Sequence, residues 1–347
     1  MLVAALRDLQ WRRRRVAITV FGTGLVFAMT LVLSGLSASF RVEPERFVHL
    51  LGADAFVYSR GATGPFVGGL PLAASTSADI ERVPGVEHVS PMVFIQSSMK
   101  GQPYPQVGLV GVTVGGVGSP TPTSGKALSG RGQVVLSTKL GKHPGDTVTF
   151  GGRSFKVVGT IHSSLFAGMP VVFMSVGDVQ DLAFGGAAVA TVFAVSGHPT
   201  SLPGAFVQAT PGQVVANLGK PLGAAQGAIS FLAILLWVVA ACVLASVMYV
   251  STMERARDFA VFKATGVSNG ALFAGLALQA VIISVVAALI GLAIGVVLAP
   301  RFPIEVSLTR SALVALPLVA VVVGLLASLA GMRRVASIDP VAAFAGP

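Results

Sequence analysis

Charged side chains are scarce in this sequence: only 11% of its 347 residues are Asp, Glu, Lys or Arg, against 53% hydrophobic ones. Water-soluble domains carry about 25% charge, so an ordinary cytosolic enzyme is excluded. A disordered chain is excluded as well, because it needs the opposite balance. The single cysteine, Cys242, rules out an internal disulfide and any cysteine-based metal cluster. The five histidines are scattered without HExxH spacing, and there is no G-x-S-x-G elbow, so no catalytic or metal set is expected. A Walker A motif is missing too: Gly125-Lys126 is followed by Ala127, and Gly141-Lys142 by His143, where Ser or Thr must reach magnesium. If nucleotide drives this protein, another chain binds it.

What the sequence does have is long uncharged runs. Val16–Phe40, Pro221–Met253, Ala264–Pro300 and Ser311–Met332 are free of charge, and a spanning helix needs about 20 apolar residues. The third run opens on Gly266, Ser268, Asn269 and Gly270, which read as a turn. The expected organisation is a basic N-terminus at 1–15 and spans at 16–40, 226–250, 271–299 and 311–332. Between them lie an outer domain at 41–225, an inner segment at 251–270 and a short outer loop at 300–310, with a C-terminal tail at 333–347. A signal peptide is not favoured at the start, since its apolar region holds roughly 7–15 residues. The net charge of +10 would suggest nucleic acid in a soluble chain. Here Arg12 to Arg15 stand as one run directly ahead of an apolar stretch, which points to a membrane surface and no nucleic acid. With the N-terminus inside, Arg7, Arg12 to Arg15, Arg255, Arg257, Lys263, Arg333 and Arg334 are inner, against Arg301 and Arg310 outside. That bias places both termini in the cytoplasm of a multi-pass inner-membrane protein.

The segment at 41–225 is long enough for an independent domain. Ala55–Tyr58, Gln133–Leu136, Thr147–Phe150, Phe155–Val158, Val171–Met174 and Thr191–Val195 read as strands. Gly151-Gly152 is a hairpin signal. Ser77–Arg82, with Ser77 as N-cap, and Val176–Phe184 read as helices, and Gly115–Gly125 as loop. The mixture implies an α+β domain.

One short stretch concentrates charge in a chain that avoids it. Glu254, Arg255, Arg257, Asp258 and Lys263 surround Phe259 and Phe262 in an amphipathic helix that Gly266 stops. A solvated, snorkelling helix end is one reading. The other is a docking element for a soluble partner, which the two aromatics favour slightly.

Glu254-Arg-x-Arg-Asp-Phe-Ala-Val-Phe-Lys-Ala-Thr-Gly266 resembles the signature loop of the FtsX-like ABC permeases, the group of MacB, LolC/LolE and FtsX. Arg333-Arg-Val-Ala-Ser-Ile-Asp-Pro-Val-Ala-Ala-Phe344 is similar to that family's ending. Ile80-x-x-Val83-Pro-Gly-Val86-x-x-Val89, Gly145-Asp-Thr-Val148 and Val157-Val-Gly159 resemble its MacB-like periplasmic core. The compact four-span form is most similar to the DevC and HrtB type. The resemblance implies four transmembrane helices with an extracytoplasmic α+β MacB-like domain, and a homodimer of permeases on a dimer of ABC ATPase subunits. ATP and Mg would sit on that partner, with no cofactor in this chain. Carried over, Glu254, Arg255, Arg257, Asp258, Phe259, Phe262 and Lys263 would contact the ATPase. No long hairpin for an outer-membrane partner is evident, which weighs against a MacB-style tripartite pump; a periplasmic or lipoprotein partner stays open.

Small residues recur at four-residue spacing at Ala241/Ala245, Gly291/Gly295 and Gly324/Ser328, which permits close helix packing in lipid. Packing within one chain is at least as natural a use for the last two pairs. Ala241, Cys242 and Ala245 are the candidate dimer contacts. The spans contain no internal charge, the usual mark of a polar-solute pathway. That favours export of a hydrophobic or amphipathic molecule, haem-like, lipid-like or drug-like, over glutamine or another amino acid. The alternatives are mechanotransmission to a periplasmic partner without cargo and, in another class, a membrane-anchored enzyme or sensor.

Overall fold

The computed structural model describes residues 13–99, 106–162, 164–165, 169–254, 256–302 and 306–336. The chain divides into two compact units, one formed by residues 39–225 and the other by the segments on either side. Helix α1 (Arg13–Leu51) is shared by both.

The unit at 39–225 is built on a mixed sheet. Its strands are β1 (Ala55–Ser59), β2 (Leu72–Ala73), β3 (Val86–Ser98), β4 (Gln106–Val112), β5 (Ser124–Gly125), β6 (Gln133–Ser137), β7 (Thr147–Phe150), β8 (Arg153–Ile161), β9 (Ser164–Leu165), β10 (Met169–Ser175), β11 (Val189–Ala190), β12 (Val192–Gly197) and β13 (Phe206–Ala209). Along the main sheet the order is β13-β1-β12-β3-β4-β10-β6-β8-β5, with β7 beside β8 and β9 beside β10. β10 runs parallel to β4, and β6 parallel to β8. Helices α2 (Ser77–Glu81), α3 (Val176–Phe184) and α4 (Pro211–Gly219) complete the unit.

Period-two alternation explains why these strands read as apolar runs. Val135 and Phe173 enter one core cluster, while their neighbours Val134, Leu136, Val172 and Met174 enter another. Both faces are therefore buried, as in sheets covered by helices on each side. The first cluster takes Phe47, Val48 and Leu51 from α1 and Val214 and Leu218 from α4; the second takes Val179 from α3. Phe47 meets Phe66 edge-on at 5.2 Å and stacks on Phe173 at 6.2 Å, geometries aromatic rings favour. Outside the cores, Arg131 and Arg153 both bond Asp181, at 2.6 and 2.9 Å, and Arg131 also pairs with the buried Asp178. The hydrogen bond from Arg153, with the charge of Arg131 behind it, holds the Asp181 carboxyl below the usual carboxylate range.

All six expected strands and both expected helices form. Ser77 is the first residue of α2 and Thr76 its cap, without a side-chain bond. Gly151 and Gly152 make the β7–β8 hairpin, with Phe150 paired to Arg153. Strands β3, β4 and β13 were not legible in the sequence. β3 carries Pro91, which is tolerated because β3 there has only β12 as neighbour; its pairing with β4 starts at Val93. β4 carries Gly108 and Gly111, poor strand formers. A Cβ on Gly111 would stand 2.9 Å from Val179 Cγ2 and 3.0 Å from Val176 Cα, so the glycine admits α3 against the sheet.

The other unit contains the first part of α1, α5 (Gly223–Glu254), α6 (Ala256–Ala264), α7 (Asn269–Leu298) and α8 (Arg310–Ala336). Four helical stretches are long and apolar enough to cross a membrane: Val16–Leu51, Pro211–Glu254, Asn269–Arg301 and Arg310–Leu329. They overlap the uncharged windows of the sequence, and α1 runs eleven residues beyond Phe40 because its apolar stripe continues into the 39–225 unit. Close contact replaces bulk between these helices. A Cβ on Gly291 would lie 2.7 Å from the Gly24 carbonyl and 2.8 Å from Phe27 Cβ; one on Gly324 would lie 2.6 Å from Ser284 Oγ. Gly291, Gly295 and Gly324 are thus spent inside one chain, α7 against α1 and α8 against α7, and Ser328 is buried. Buried hydroxyls turn back on their own helix: Ser284 donates to the Ala280 carbonyl and Thr252 to that of Met248. The N-terminus up to Arg12 and the C-terminal motif beyond Ala336 lie outside the described residues.

Candidate functional site: the α5–α6–α7 segment

The charged stretch forms α6, joined to α5 through Arg255, which lies outside the described residues. Its end is fixed by backbone geometry. Gly266 has φ +87°, its N–H donates to the Lys263 carbonyl at 3.0 Å, and that of Val267 donates to Phe262 at 2.9 Å. This doubly bonded left-handed stop admits Gly without a Cβ penalty. Two residues on, Ser268 opens α7, its Oγ accepting from the Ala271 N–H at 3.3 Å. A stop and a start two residues apart leave the α6–α7 turn little freedom.

That turn decides which way each α6 side chain faces. Phe259 and Ala260 are buried, Phe259 in the same cluster as Met248, Leu272 and Leu276. Arg257, Asp258, Val261 and Phe262 are exposed, with Phe262 at 40% and Val261 at 43%. Glu254 is exposed and Lys263 half-buried. Of the two aromatics singled out in the sequence, then, Phe259 fastens α6 to its own bundle and Phe262 is presented outward. Val261, missed by residue-by-residue reading, completes an apolar patch flanked by Arg257 and Asp258. The 3.6-residue period could have found it, because Asp258, Val261 and Phe262 share one face.

The second candidate surface is α5. Only 11% of its apolar window is buried, against 33% for α7 and 33% for α8. Ala240, Leu244, Met248 and Thr252 form a single narrow seam, one residue per turn. Ala241 and Ala245 are half-buried beside that seam, whereas Cys242 is exposed as a free thiol. Phe231, Leu235 and Val238 share its exposure. Of the three candidate dimer residues, only Cys242 faces away from the chain's own core. Among the described residues no three His, Cys, Asp or Glu side chains gather as a metal site.

Residues 16–224 match the MacB-like periplasmic core domain, and residues 230–340 match the FtsX-like permease C-terminal family. A protein of Mycobacterium bovis (strain ATCC BAA-935 / AF2122/97), named an uncharacterized ABC transporter permease, is 44% identical over 100% of both chains. One of Mycobacterium tuberculosis (strain CDC 1551 / Oshkosh) with the same description is 43% identical, again over 100% of both. More distant, at 21% identity over 99% of both chains, is HrtB of Staphylococcus haemolyticus (strain JCSC1435), whose name assigns it to a hemin transport system. The periplasmic region of MacB from Actinobacillus actinomycetemcomitans aligns over 48% of this chain and 94% of its own, with 14% identity and a TM-score of 0.35.

Proposed function

Since the chain belongs to the FtsX-like ABC transporter permeases that carry a MacB-like periplasmic core domain, we propose that it couples ATP hydrolysis on a separate ATPase subunit to export of a hydrophobic or amphipathic molecule. It is a multi-pass membrane protein with a large extracytoplasmic domain, and the positive-inside bias supports placing both termini and α6 in the cytoplasm. The observation that carries the reading is the outward face of α6. Phe262, Val261, Arg257 and Asp258 stand on a helix fixed at its end by the Gly266 stop and anchored by Phe259. Glu254, Arg255 and Lys263 extend that contact to the ATPase, which holds ATP and Mg.

The choice of cargo rests on the long windows Val16–Phe40, Pro221–Met253, Ala264–Pro300 and Ser311–Met332, which carry no Asp, Glu, Lys or Arg. A haem-like molecule fits, in keeping with the name of the HrtB relative. The test is ATP turnover by the reconstituted complex in lipid vesicles: hemin or an amphipathic drug should stimulate it severalfold, and glutamine should not. Stimulation by glutamine alone would overturn the reading. A second reading is favoured by α1 being one helix shared by both units. In it, ATP-driven movement of α1 regulates a periplasmic partner, and turnover follows that partner rather than cargo.

Assembly as a homodimer would bring two α5 faces together at Cys242. Oxidation of the intact complex should crosslink two copies through Cys242, which requires Cα atoms closer than about 7 Å. Crosslinks only from cysteines placed in α8 would move the interface there.

A further inference from the structure

We propose that the buried ion pair between Glu43 and Lys139 is a register lock, fixing the outer end of α1 on the sheet so that movement of the helix reaches the domain without slip. Beyond the boundary at residue 39, α1 buries Phe40, Glu43, Pro44, Phe47, Val48 and Leu51, while Arg41, Glu45 and His49 are exposed. The buried set recurs every three or four residues, one continuous stripe. Glu43 is its only ionisable member. Its Oε1 lies 2.8 Å from Lys139 Nζ, and the two side chains are 4% and 12% exposed.

Lys139 is itself well placed. It stands in the 3₁₀ turn Thr138–Leu140 that ends β6, where its N–H donates to Ser137 Oγ and Leu140 is buried beside it. An apolar contact is non-directional and tolerates rotation or sliding along the stripe. A buried ion pair does not, because displacement leaves two desolvated charges apart, the costly state for such groups. Apolar residues at the two positions would stabilise the unit as well or better, so what the charges add is a unique register. The helix needs one here: Pro44 has no N–H to donate to the Phe40 carbonyl, so the ladder loses a rung beside the pair.

The lock deepens the coupling reading and its consequence for transport rests on it, but the lock can be tested without an ATPase. Full-length permease in lipid nanodiscs, with Cys242→Ala, His49→Cys and Lys156→Cys, would carry spin labels on α1 and on the sheet, both at exposed positions. The parent should give one narrow distance population. Glu43→Leu with Lys139→Leu should add a second, displaced by up to a helical turn of about 5 Å. The exchanged pair, Glu43→Lys with Lys139→Glu, should return to one. A single unshifted population in the apolar variant would overturn the lock, and so would two populations in the exchanged variant. Loss of ATP-driven movement with the lock intact would instead count against the coupling reading.

Discussion

The two units bury their residues by opposite means. In the 39–225 unit the sheet is filled by large side chains, with Phe47, Phe56, Phe66 and Phe173 all at 0–1% exposure. Among the spans close contacts are made by having almost no side chain, at Gly24, Gly291 and Gly324. Water drives the first arrangement, since each buried ring leaves it. In lipid that drive between helices is absent, and close backbone approach takes its place. A phenylalanine buried in the sheet should therefore matter far more than one exposed on a span.

The largest effect should come from emptying the sheet core. Phe173→Ala removes a ring packed on Phe47 and should cost about 3–5 kcal/mol, read as a large fall in the melting temperature of the purified permease. The paired control, Phe231→Ala on exposed α5, should change it little; equal losses would break the comparison. Next is the reverse operation. Gly291→Val puts atoms where the Gly24 carbonyl and Phe27 already stand and should cost on the order of 1–3 kcal/mol, measured as lost monodisperse protein after extraction. The same change at Gly275, which has open space around it, should be tolerated.

The smallest effect concerns pH. Asp181 is held below its ordinary carboxylate value by Arg153 and Arg131, so its contribution is complete above that ordinary value, about 3.9. It fades as pH falls through the lower folded value. Asp181→Asn should thus lower the melting temperature slightly at pH 6, and the gap from the parent should close on acidification below pH 4. A gap that widens there would assign the wrong sign.

What was legible in the sequence followed the same divide. Uncharged windows located the spans because lipid tolerates so little charge, and the Gly-Gly hairpin and apolar strands of the outer domain stood out by composition. β3 and β4 were hidden because Pro91 and Gly111 answer to neighbours far along the chain, an open strand flank and a helix 65 residues away. The α6 segment was legible as concentrated charge, yet which side chains it turns inward was not. Phe259 and Phe262 both suit a helix at the membrane surface, and only the fold of α6 onto Met248, Leu272 and Leu276 sends one inward and the other out. Ala241 and Ala245 were unreadable for the same reason, since small-residue spacing does not say which helix it serves.

That division between the two phenylalanines is the most direct way to test the docking account. Binding of the ATPase to permease in nanodiscs should be compared for the parent and the Phe262→Asp variant. Phe262 is exposed, so the variant should keep its fold while losing roughly thirtyfold in affinity, the effect of removing an anchor worth about 2 kcal/mol. Phe259→Asp should instead unfold the α6 end of the bundle. Normal ATPase binding by a folded Phe262→Asp permease would contradict the account and leave α6 a solvated helix end.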